Sequence, residues 1–289
     1  MDIAFIGFGG AAYGIAKGLR REGIGNIFFH TRSWATPPYD EVIAKRAAET
    51  GAVLKKSMEE LVRSADIIFS CVTGSVTVAM AETTAPYLHS GQLYVDLNTT
   101  KPEDKKMAAE IVQRTGAFFV DAAMMGGIPT YLHRVPIFAS GAGARRFRDT
   151  FQPFGMQIEV IGPTPGQASA IKMFRSIFMK GLLALLLEVM DASKKYKATE
   201  TVLSSISETM DRTQFLETAR LVVTKGVVNP ERMAHEMEDV IKTLELVGAS
   251  TIMSTATREK LEWCARYRLR ERFAGEIPQT LTEVLELII

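Results

Sequence analysis

Ile3-Ala4-Phe5-Ile6-Gly7-Phe8-Gly9-Gly10-Ala11-Ala12, at the start of the chain, is the stretch that decides the fold. Residues 3–6 form a continuous apolar run, which is typical of a strand covered on both faces. Apolar residues then recur at helical spacing, at Ala11, Ile15, Ala16 and Leu19. A glycine-rich turn between such a strand and such a helix predicts a dinucleotide-binding unit, because a helix N-terminus attracts phosphates.

Small residues in this turn have separate predicted tasks. Gly7 makes the tight turn, Gly9 lets a pyrophosphate approach the backbone, and Ala12 lets the helix pack closely on the strand. The predicted cofactor-binding residues of the turn are Gly7, Phe8, Gly9, Gly10, Ala11 and Ala12. A glycine-rich turn that binds no ligand is the alternative.

Composition excludes several classes of protein. The chain has 289 residues, of which 47% are hydrophobic and 23% charged, as in a globular protein with a sizeable core. A formal net charge of +1 gives no indication of a nucleic-acid partner or of an anionic membrane surface. The cysteines, Cys71 and Cys264, form neither a disulfide framework nor a metal cluster. With the first strand so near Met1, we expect no signal peptide, no membrane span, no metal and a cytoplasmic location.

Strand-like and helix-like segments alternate in the first half of the chain. Further apolar runs predict strands near residues 27–30, 52–54, 66–72, 93–97, 117–120, 135–139 and 158–161. Strands separated by helix-length segments imply a parallel sheet with right-handed crossovers. The predicted fold class is therefore α/β, a Rossmann-type, doubly wound and mostly parallel sheet, followed by an all-α C-terminal domain.

The alternation of strand-like and helix-like segments ends at Gly162-Pro163-Thr164-Pro165-Gly166. A long helix follows, from Ala168 to about Tyr196, and its apolar residues lie all around it, which is typical of a buried helix. We predict a Rossmann domain over 1–165 and a helical substrate and dimerisation domain over 166–289, beginning with this interdomain helix.

Four motifs occur in order along the chain: the glycine turn, Asp96-Leu97-Asn98-Thr99-Thr100-Lys101-Pro102, Asp121-Ala122-Ala123-Met124-Met125-Gly126-Gly127, and Gly166-Gln167-Ala168-Ser169-Ala170-Ile171-Lys172. Together they resemble the beta-hydroxyacid dehydrogenase superfamily, which includes 3-hydroxyisobutyrate dehydrogenase and 6-phosphogluconate dehydrogenase. The C-terminal half resembles a poorly characterised branch of that superfamily, so the identity of the substrate does not carry over.

The end of the second strand bears on the choice of cofactor. An NAD site usually has an acidic residue about 20 residues after the glycines, whereas here the strand ends in His30-Thr31-Arg32-Ser33. Arg32 can pair with a 2′-phosphate, and the segment is similar to the Asn-Arg-Thr pattern of NADP-preferring members. We expect NADP, with NAD possible, bound in part by Thr31, Arg32 and Ser33. The alternative is a solvated loop arginine.

Two other loops are implied in cofactor binding by the resemblance. Val72 would contact the adenosine side, while Cys71 is expected to be a small core residue rather than a reactive thiol. Asn98 and Thr99 would lie near the nicotinamide ribose and carboxamide. Asn98 and Thr99 are also candidates to cap the helix that starts near Pro102.

The third motif departs from the family pattern Asp-Ala-Pro-Val-Ser-Gly-Gly, whose serine binds the substrate carboxylate. Met125 stands in place of that serine, which favours a different and less polar substrate, although Met125 is also a plausible core residue. Gly126 and Gly127 can still present backbone N–H groups to an anion.

Lys172 is the predicted general acid/base, and Ser176 is the second predicted catalytic residue. The family lysine at this position is the general acid/base at the reacting oxygen. Independently of the family, an ammonium on a helix that is otherwise apolar is costly unless it is paired, so its pKa is expected to be lowered, which suits proton transfer. A structural ion pair with a carboxylate is the alternative.

Arg175 and Ser176 lie on the face of Lys172, at spacings of three and four residues. The family usually has Asn-Asn there, and the second Asn contacts both substrate and lysine. Ser176 can replace it through a shorter hydroxyl, and Arg175 can bind a substrate acid. His133, in contrast, is expected in a solvated loop.

The sequence thus predicts an NADP(H)-dependent oxidoreductase. A hydride would pass between nicotinamide and a CH–OH or C=O carbon of a small, acidic substrate, with Lys172 as general acid/base. An imine reductase-like enzyme and a non-catalytic NADP-binding regulator are the alternatives. The long apolar helix predicts a homodimer.

Overall fold

The structure is a computed structural model that describes residues 1–288. Two compact units make up the chain, one from Met1 to Ile177 and the other from Phe178 onward.

The first unit contains an eight-stranded sheet with the order β3-β2-β1-β4-β5-β6-β7-β8. The strands are β1 Asp2–Ile6, β2 Asn26–His30, β3 Val53–Leu54, β4 Ile67–Ser70, β5 Leu93–Asp96, β6 Phe118–Met124, β7 Ile137–Ser140 and β8 Ile158–Gly162. All neighbouring strands are parallel except β6 and β7, which pair antiparallel. The predicted fold class is confirmed, including the mostly parallel sheet.

Helices connect these strands and cover the sheet. They are α1 Gly10–Arg21, α2 Tyr39–Thr50, α3 Met58–Arg63, α4 Thr77–Thr84, α5 Pro102–Gln113, α6 Ile128–Tyr131, α7 Ala144–Phe151 and α8 Gln167–Lys195. The long helix predicted from the apolar segment is α8. Helix α1 ends with Arg20 and Arg21, whose charge suits the negative end of the helix dipole.

Core residues occupy both faces of the sheet, as the continuous apolar runs predict. Along β1, Ile3 and Phe5 belong to one buried cluster, and Ala4 and Ile6 belong to the other. Alternate side chains of a strand point to opposite faces, so both faces must be covered by helices. Phe5 stacks on Phe69 of β4 with ring centroids 5.0 Å apart. Burial of one such ring contributes about 2–3 kcal/mol to stability.

The second unit is helical. After α8 it contains α9 Thr199–Met210, α10 Phe215–Gly226, α11 Pro230–Leu246, α12 Ile252–Ala265, α13 Leu269–Arg272 and α14 Leu281–Ile288. The units divide after Ile177, inside α8, whereas the sequence places the domain boundary at residue 165. The boundary at 165 marks the chain just before this helix, and as a domain boundary it stays a prediction.

The expectation that His133 lies in a solvated loop is wrong. Its side chain is buried rather than solvated, because it packs under α1 at Gly18, where a Cβ would lie only 1.9 Å from the His133 Nδ1. Burial lowers the pKa of His133, and the nearby Glu22 carboxylate opposes that effect. Gly18 is therefore a packing requirement of this loop, which the sequence around His133 does not indicate.

The expectation that α8 is a buried helix is also corrected, because much of its apolar surface is exposed in the single chain. The exposed apolar residues of α8 are Phe174, Ile177, Phe178, Met179, Leu182, Leu183, Leu185, Leu187 and Met190. An apolar surface of this extent on a monomer is typical of an interaction site. None of the helices within residues 1–288 combines the length and apolar character needed to cross a membrane.

Candidate active site

The turn after β1 is shaped by contacts that only glycine permits. Gly7 has φ +84°, and a Cβ there would lie 2.5 Å from the carbonyl oxygen of Cys71. Its N–H donates to the carbonyl oxygen of His30 at 2.7 Å. Gly7 therefore lies wedged between the ends of β2 and β4, and this contact fixes where the turn runs.

The start of α1 is open in front of this turn. A Cβ on Gly9 or Gly10 would meet no atom within 4 Å. Gly9 is also the N-cap, and no side chain accepts a hydrogen bond from the first N–H groups of the helix. These N–H groups are therefore available to an anion, and the helix dipole favours one there.

A cleft of about 690 Å³ extends from this turn across the carboxyl ends of β1, β2 and β4. Its lining includes the predicted cofactor residues Gly7, Phe8, Gly9, Gly10, Ala11, Thr31, Arg32, Ser33 and Val72. Two members of the glycine motif contribute differently. The Phe8 ring is buried and stacks on Phe29 at 4.1 Å, and Ala12 is fully buried, so Phe8 offers its backbone and Ala12 permits close packing.

Arg32 stands at the rim of the cleft, in a short helical turn, Arg32–Ala35, that follows β2. Its side chain is exposed and makes no ion pair with any residue in 1–288. The neighbouring His30 is instead tied to β3 by the contact of its Nδ1 with the carbonyl oxygen of Lys55, at 3.0 Å. A free guanidinium here can receive a phosphate group.

Asn98 holds two loops together at the carboxyl edge of the sheet. Its Oδ1 accepts from the N–H of Val72 at 2.7 Å, and its Nδ2 donates to the Ser70 hydroxyl at 3.0 Å. The alternative that Asn98 and Thr99 cap α5 is wrong, because Lys101 is the N-cap and makes no side-chain cap bond. Thr99 is exposed at this edge, and Cys71 is partly buried, with its thiol pKa raised by burial.

Met125 is only partly buried, at the end of β6. Its backbone N–H donates to the carbonyl oxygen of Pro136 at 2.7 Å, so that N–H is not free for a ligand. Gly126 and Gly127 follow it and are exposed. The backbone of these two glycines is thus accessible at the same edge as Asn98.

An ionic cluster, consisting of Lys105, Asp96 and Asp121, is buried beneath this edge. The Lys105 Nζ lies 2.9 Å from the Asp96 carbonyl oxygen, 3.1 Å from Asp96 Oδ1 and 3.5 Å from Asp121 Oδ1. Burial raises the pKa of Asp96, whereas the charge of Lys105 and the N–H of Asn98 oppose this rise. A buried lysine is tolerated only when it is paired in this way.

Asp121 also caps α8 from a distance. Its Oδ2 accepts from the N–H groups of Gly166 and Ser169, both at 3.0 Å, and from the Ser140 hydroxyl at 3.1 Å. Its Oδ1 accepts from the Ser169 hydroxyl at 2.6 Å. The carboxylate therefore anchors the start of α8 to β6, and its negative charge also suits the helix dipole.

Lys172 follows within the next two turns of α8. It is partly buried and has no carboxylate within ion-pair distance among residues 1–288. Burial lowers the pKa of Lys172, the charges of Lys105 and Arg175 lower it further, and Asp121 has the opposite effect. The described residues thus give no support to the structural ion pair that was the alternative for this lysine.

Arg175 and Ser176 complete this part of α8. Arg175 is exposed and is likewise unpaired within the described residues, so two cations stand one turn apart. The Ser176 hydroxyl donates to the Lys172 carbonyl oxygen at 2.9 Å, which leaves its lone pairs free to accept. In residues 1–288 no group of three or more His, Cys, Asp or Glu side chains is placed to hold a metal ion.

Sequence reasoning missed the role of the ionic cluster, although two patterns indicate it. Asp96 ends β5, and Asp121, in the middle of the neighbouring parallel strand β6, is paired with it in register. Lys105 lies on the buried face of α5, together with Ala108, Ala109 and Val112 at helical spacing. A lysine on such a face, next to two aspartates on neighbouring buried strands, indicates a buried ion pair.

The glycine turn, the open start of α1 and the cleft across the switch in strand order define a Rossmann-type dinucleotide-binding protein. The sequence model for the NAD-binding domain of 6-phosphogluconate dehydrogenase matches residues 2–162. The chain belongs to this family of NAD-binding oxidoreductase domains. The predicted family resemblance is confirmed, and so is a nicotinamide dinucleotide cofactor.

Two relatives with described activities match less than half of this chain. An NADH-dependent oxidoreductase from Aspergillus ustus is 29% identical over 133 residues, which is 46% of this chain and 45% of that protein. The mitochondrial 3-hydroxyisobutyrate dehydrogenase of Drosophila melanogaster is 25% identical over 130 residues, which is 44% of this chain and 38% of that enzyme. The chain thus spans less than half of each of these two relatives.

Two solved structures match nearly the whole chain. A conserved hypothetical protein from Sinorhizobium meliloti 1021 is 30% identical, with a TM-score of 0.62, over 100% of this chain and 95% of that one. An imine reductase from Myxococcus stipitatus in complex with NADP+ is 15% identical, with a TM-score of 0.77, over 100% of both chains. At that identity the second likeness concerns the fold alone.

Cofactor binding should depend differently on the two glycines of the turn. Gly9→Ala should weaken NADPH binding at least about tenfold without loss of stability, because its new methyl group meets no protein atom but occupies the approach of the pyrophosphate. Gly7→Ala should lower the melting temperature, because φ is positive and the methyl group collides with Cys71. Fluorescence titration and thermal melting of both variants test this. Unchanged NADPH affinity in Gly9→Ala would place the pyrophosphate elsewhere.

Proposed function

We propose that this protein is an NADP(H)-dependent oxidoreductase that interconverts a CH–OH group and a C=O group, with Lys172 as general acid/base. The observation on which this proposal rests is the environment of Lys172. It is partly buried, it has no carboxylate partner in residues 1–288, and it stands on a helix that Asp121 anchors at the carboxyl edge of the sheet. Ligands of doubly wound sheets bind at this edge.

Lys172 moves the proton in this proposal. When bound, NADP(H) supplies or accepts the hydride at nicotinamide C4. In reduction, the Lys172 ammonium stabilises the negative charge that develops on the carbonyl oxygen and then gives that oxygen its proton. In oxidation, the neutral amine of Lys172 takes the proton from the hydroxyl. Burial, which lowers the pKa of Lys172, makes the amine form accessible nearer to neutral pH.

An acidic substrate suits the charges around Lys172. Arg175 is exposed one turn further along α8, and its guanidinium can bind a carboxylate through two hydrogen bonds. The backbone of Gly126 and Gly127 and the hydroxyl of Ser176 are the other candidate contacts. Met125 stands where the family serine would bind the carboxylate, which favours a substrate with an apolar part beside its acid group.

Two alternatives remain open to direct test. An imine reductase-like enzyme would reduce C=N bonds, and a non-catalytic regulator would bind NADP(H) without turnover. Lys172, which usually has no counterpart in imine reductases, argues against the first, and Asn98 with Thr99 and Lys172 argues against the second. Panels of hydroxyacids, oxoacids and imines with NADP(H) separate these functions by the class of compound that is turned over.

Cofactor preference should depend on Arg32. We expect NADPH to bind more tightly than NADH, because β2 ends without an acid and the exposed Arg32 guanidinium can pair with the 2′-phosphate. Arg32→Ala should weaken NADPH binding roughly tenfold and leave NADH binding nearly unchanged. Arg145→Ala, an exposed arginine on α7, is the matched control. Equal affinities of the unaltered protein for the two nucleotides contradict the preference.

Turnover should depend on the Lys172 amine. Lys172→Met should reduce kcat about 10²–10⁴-fold, since general acid/base help is lost, while NADPH affinity stays nearly intact. Lys180→Met, which removes an exposed lysine of the same helix, should leave kcat unchanged. Retained turnover in Lys172→Met would remove Lys172 from the mechanism.

The pH dependence of stability gives a second test of Lys172. Because its folded pKa is lowered below the unfolded value, the unfolded chain binds more protons between those two pKa values, and stability rises with pH there. Lys172→Met should therefore melt at a higher temperature than the unaltered protein below that window. The advantage should shrink as pH rises toward the ordinary lysine pKa of about 10.4. A lower melting temperature at neutral pH would instead indicate a structural ion pair.

We further propose that the protein is a homodimer in the cytoplasm and that α8 and the helical unit form much of the contact. The exposed apolar residues of α8 motivate this assembly. Sedimentation at micromolar concentration should show a dimer or a larger species. Met179→Glu on α8 should dissociate it, whereas Met107→Glu, a similarly exposed methionine on α5, should not. A monomeric unaltered protein contradicts the proposal.

A further inference from the structure

Lys105 is the one fully buried lysine in the part of the chain that the structure describes, and the proposed chemistry does not use it directly. Its ammonium has three oxygen contacts, two with Asp96 and one with Asp121. A leucine or methionine would fill the same face of α5 without the cost of burying a charge. An ionic group at this place therefore calls for a reason beyond packing.

Asp121 links Lys105 to the catalytic helix. Both carboxylate oxygens of Asp121 are engaged, with Lys105 and the Ser169 hydroxyl on Oδ1 and with three donors on Oδ2. Lys105 thus approaches the same oxygen that accepts from Ser169, and Ser169 shares a helix face with Lys172 at a spacing of three residues. The orientation of this carboxylate sets the position of the first turn of α8.

The starts of α5 and α8 also touch directly. Gly166, just before α8, has φ +95°, and a Cβ there would lie 2.9 Å from the carbonyl oxygen of Pro102, the first residue of α5. Lys105 follows Pro102 by one turn, and Lys172 follows Gly166 by six residues, about 9 Å along the helix axis. A change at Lys105 is therefore transmitted over a short and tightly packed path to Lys172.

We propose that Lys105 is a positioning residue for Lys172, acting through Asp121: it holds the Asp121 carboxylate in the orientation that caps α8 and offsets its charge beside the Lys172 amine. This inference rests on the proposed function of Lys172. Lys105 touches neither cofactor nor substrate in this proposal. Its effect is to keep Lys172 in place and to keep part of it unprotonated.

The charges that face Lys172 come from three elements. Lys105 on α5 and Arg175 on α8 disfavour its protonated form, and Asp121 on β6 favours it. Asp96 on β5 is the other partner of Lys105. Removal of Lys105 leaves Asp121 less compensated, so Lys172 should hold its proton more strongly and react more slowly as an amine.

Competitive acetylation of the holoprotein with trace acetic anhydride measures this without a substrate. The rate of labelling at Lys172, followed by mass spectrometry from neutral to alkaline pH, reports its apparent pKa. In Lys105→Met that pKa should rise by roughly one unit, so labelling at neutral pH should fall about tenfold. Lys106→Met, an exposed lysine next to it on α5, should leave the profile unchanged.

A milder variant keeps the test decisive if Lys105→Met fails to fold, as judged by thermal melting and NADPH binding. Ser169→Ala removes only the hydroxyl that donates to Asp121, and it should slow the labelling of Lys172 in the same direction. An unchanged Lys172 profile in a folded Lys105→Met, or in Ser169→Ala where Lys105→Met does not fold, overturns the proposal. An equal change in Lys106→Met does so as well.

The result of this labelling test can be distinguished from the result of the turnover test of the proposed function. If Lys172→Met retains turnover while Lys105→Met shifts the labelling profile, the link between the two lysines stands and the catalytic assignment fails. If Lys172→Met is inactive and the profile does not shift, Lys172 acts without help from Lys105. Once a substrate is known, Lys105→Met should lower kcat with little change in NADPH affinity.

Discussion

Asp121 carries its charge in the middle of β6, where the sheet meets the first turn of α8. A carboxylate removed from water is stable only when donors and cations surround it. Here the donors come from Ser140, Gly166 and Ser169, and the cation is Lys105, so one group requires β6, β7, α5 and α8 to meet at one point. Loss of one partner of such a buried pair typically costs about 3–5 kcal/mol. The position of Lys172 is a consequence of this constraint.

The helical unit contains a second buried carboxylate that also caps a helix from a distant position in the sequence. Glu188 of α8 accepts from the N–H groups of Met253 and Ser254, each at 2.8 Å, and from the Ser254 and Ser250 hydroxyls. It thereby caps the first turn of α12, whose own N-cap residue makes no side-chain cap bond. A cap from a distant residue fixes a helix relative to its neighbour as well as satisfying its N–H groups. Both ends of α8 are therefore involved in such contacts, one within each unit.

The sheet could be predicted from the sequence because its strands are continuous apolar runs and its turns contain glycine at positions that backbone contacts require. Gly7 illustrates this, since the motif predicts a tight turn and the contact with Cys71 explains it. Other features depend on neighbours that are distant in sequence. His133 is buried because Gly18 leaves room for it, and Lys105 is tolerated because two strands each place an aspartate beside it. No local pattern around His133 carries that information.

The exposed surface of α8 shows a different limit. An apolar helix indicates burial, yet the sequence does not say whether its own chain or another copy covers it, and in the single chain much of it is open.

The candidate site could likewise be predicted only in part from the sequence. Its cofactor side consists largely of backbone and glycine, so a motif describes it well. Its substrate side depends on Met125, Arg175 and Ser176, which depart from the family pattern together. In the proposed function, Met125, Arg175 and Ser176 determine which substrate is accepted, whereas the glycine turn and Lys172 determine the chemistry. On that proposal, a departure from the family pattern that is confined to Met125, Arg175 and Ser176 changes the substrate and leaves the type of reaction unchanged.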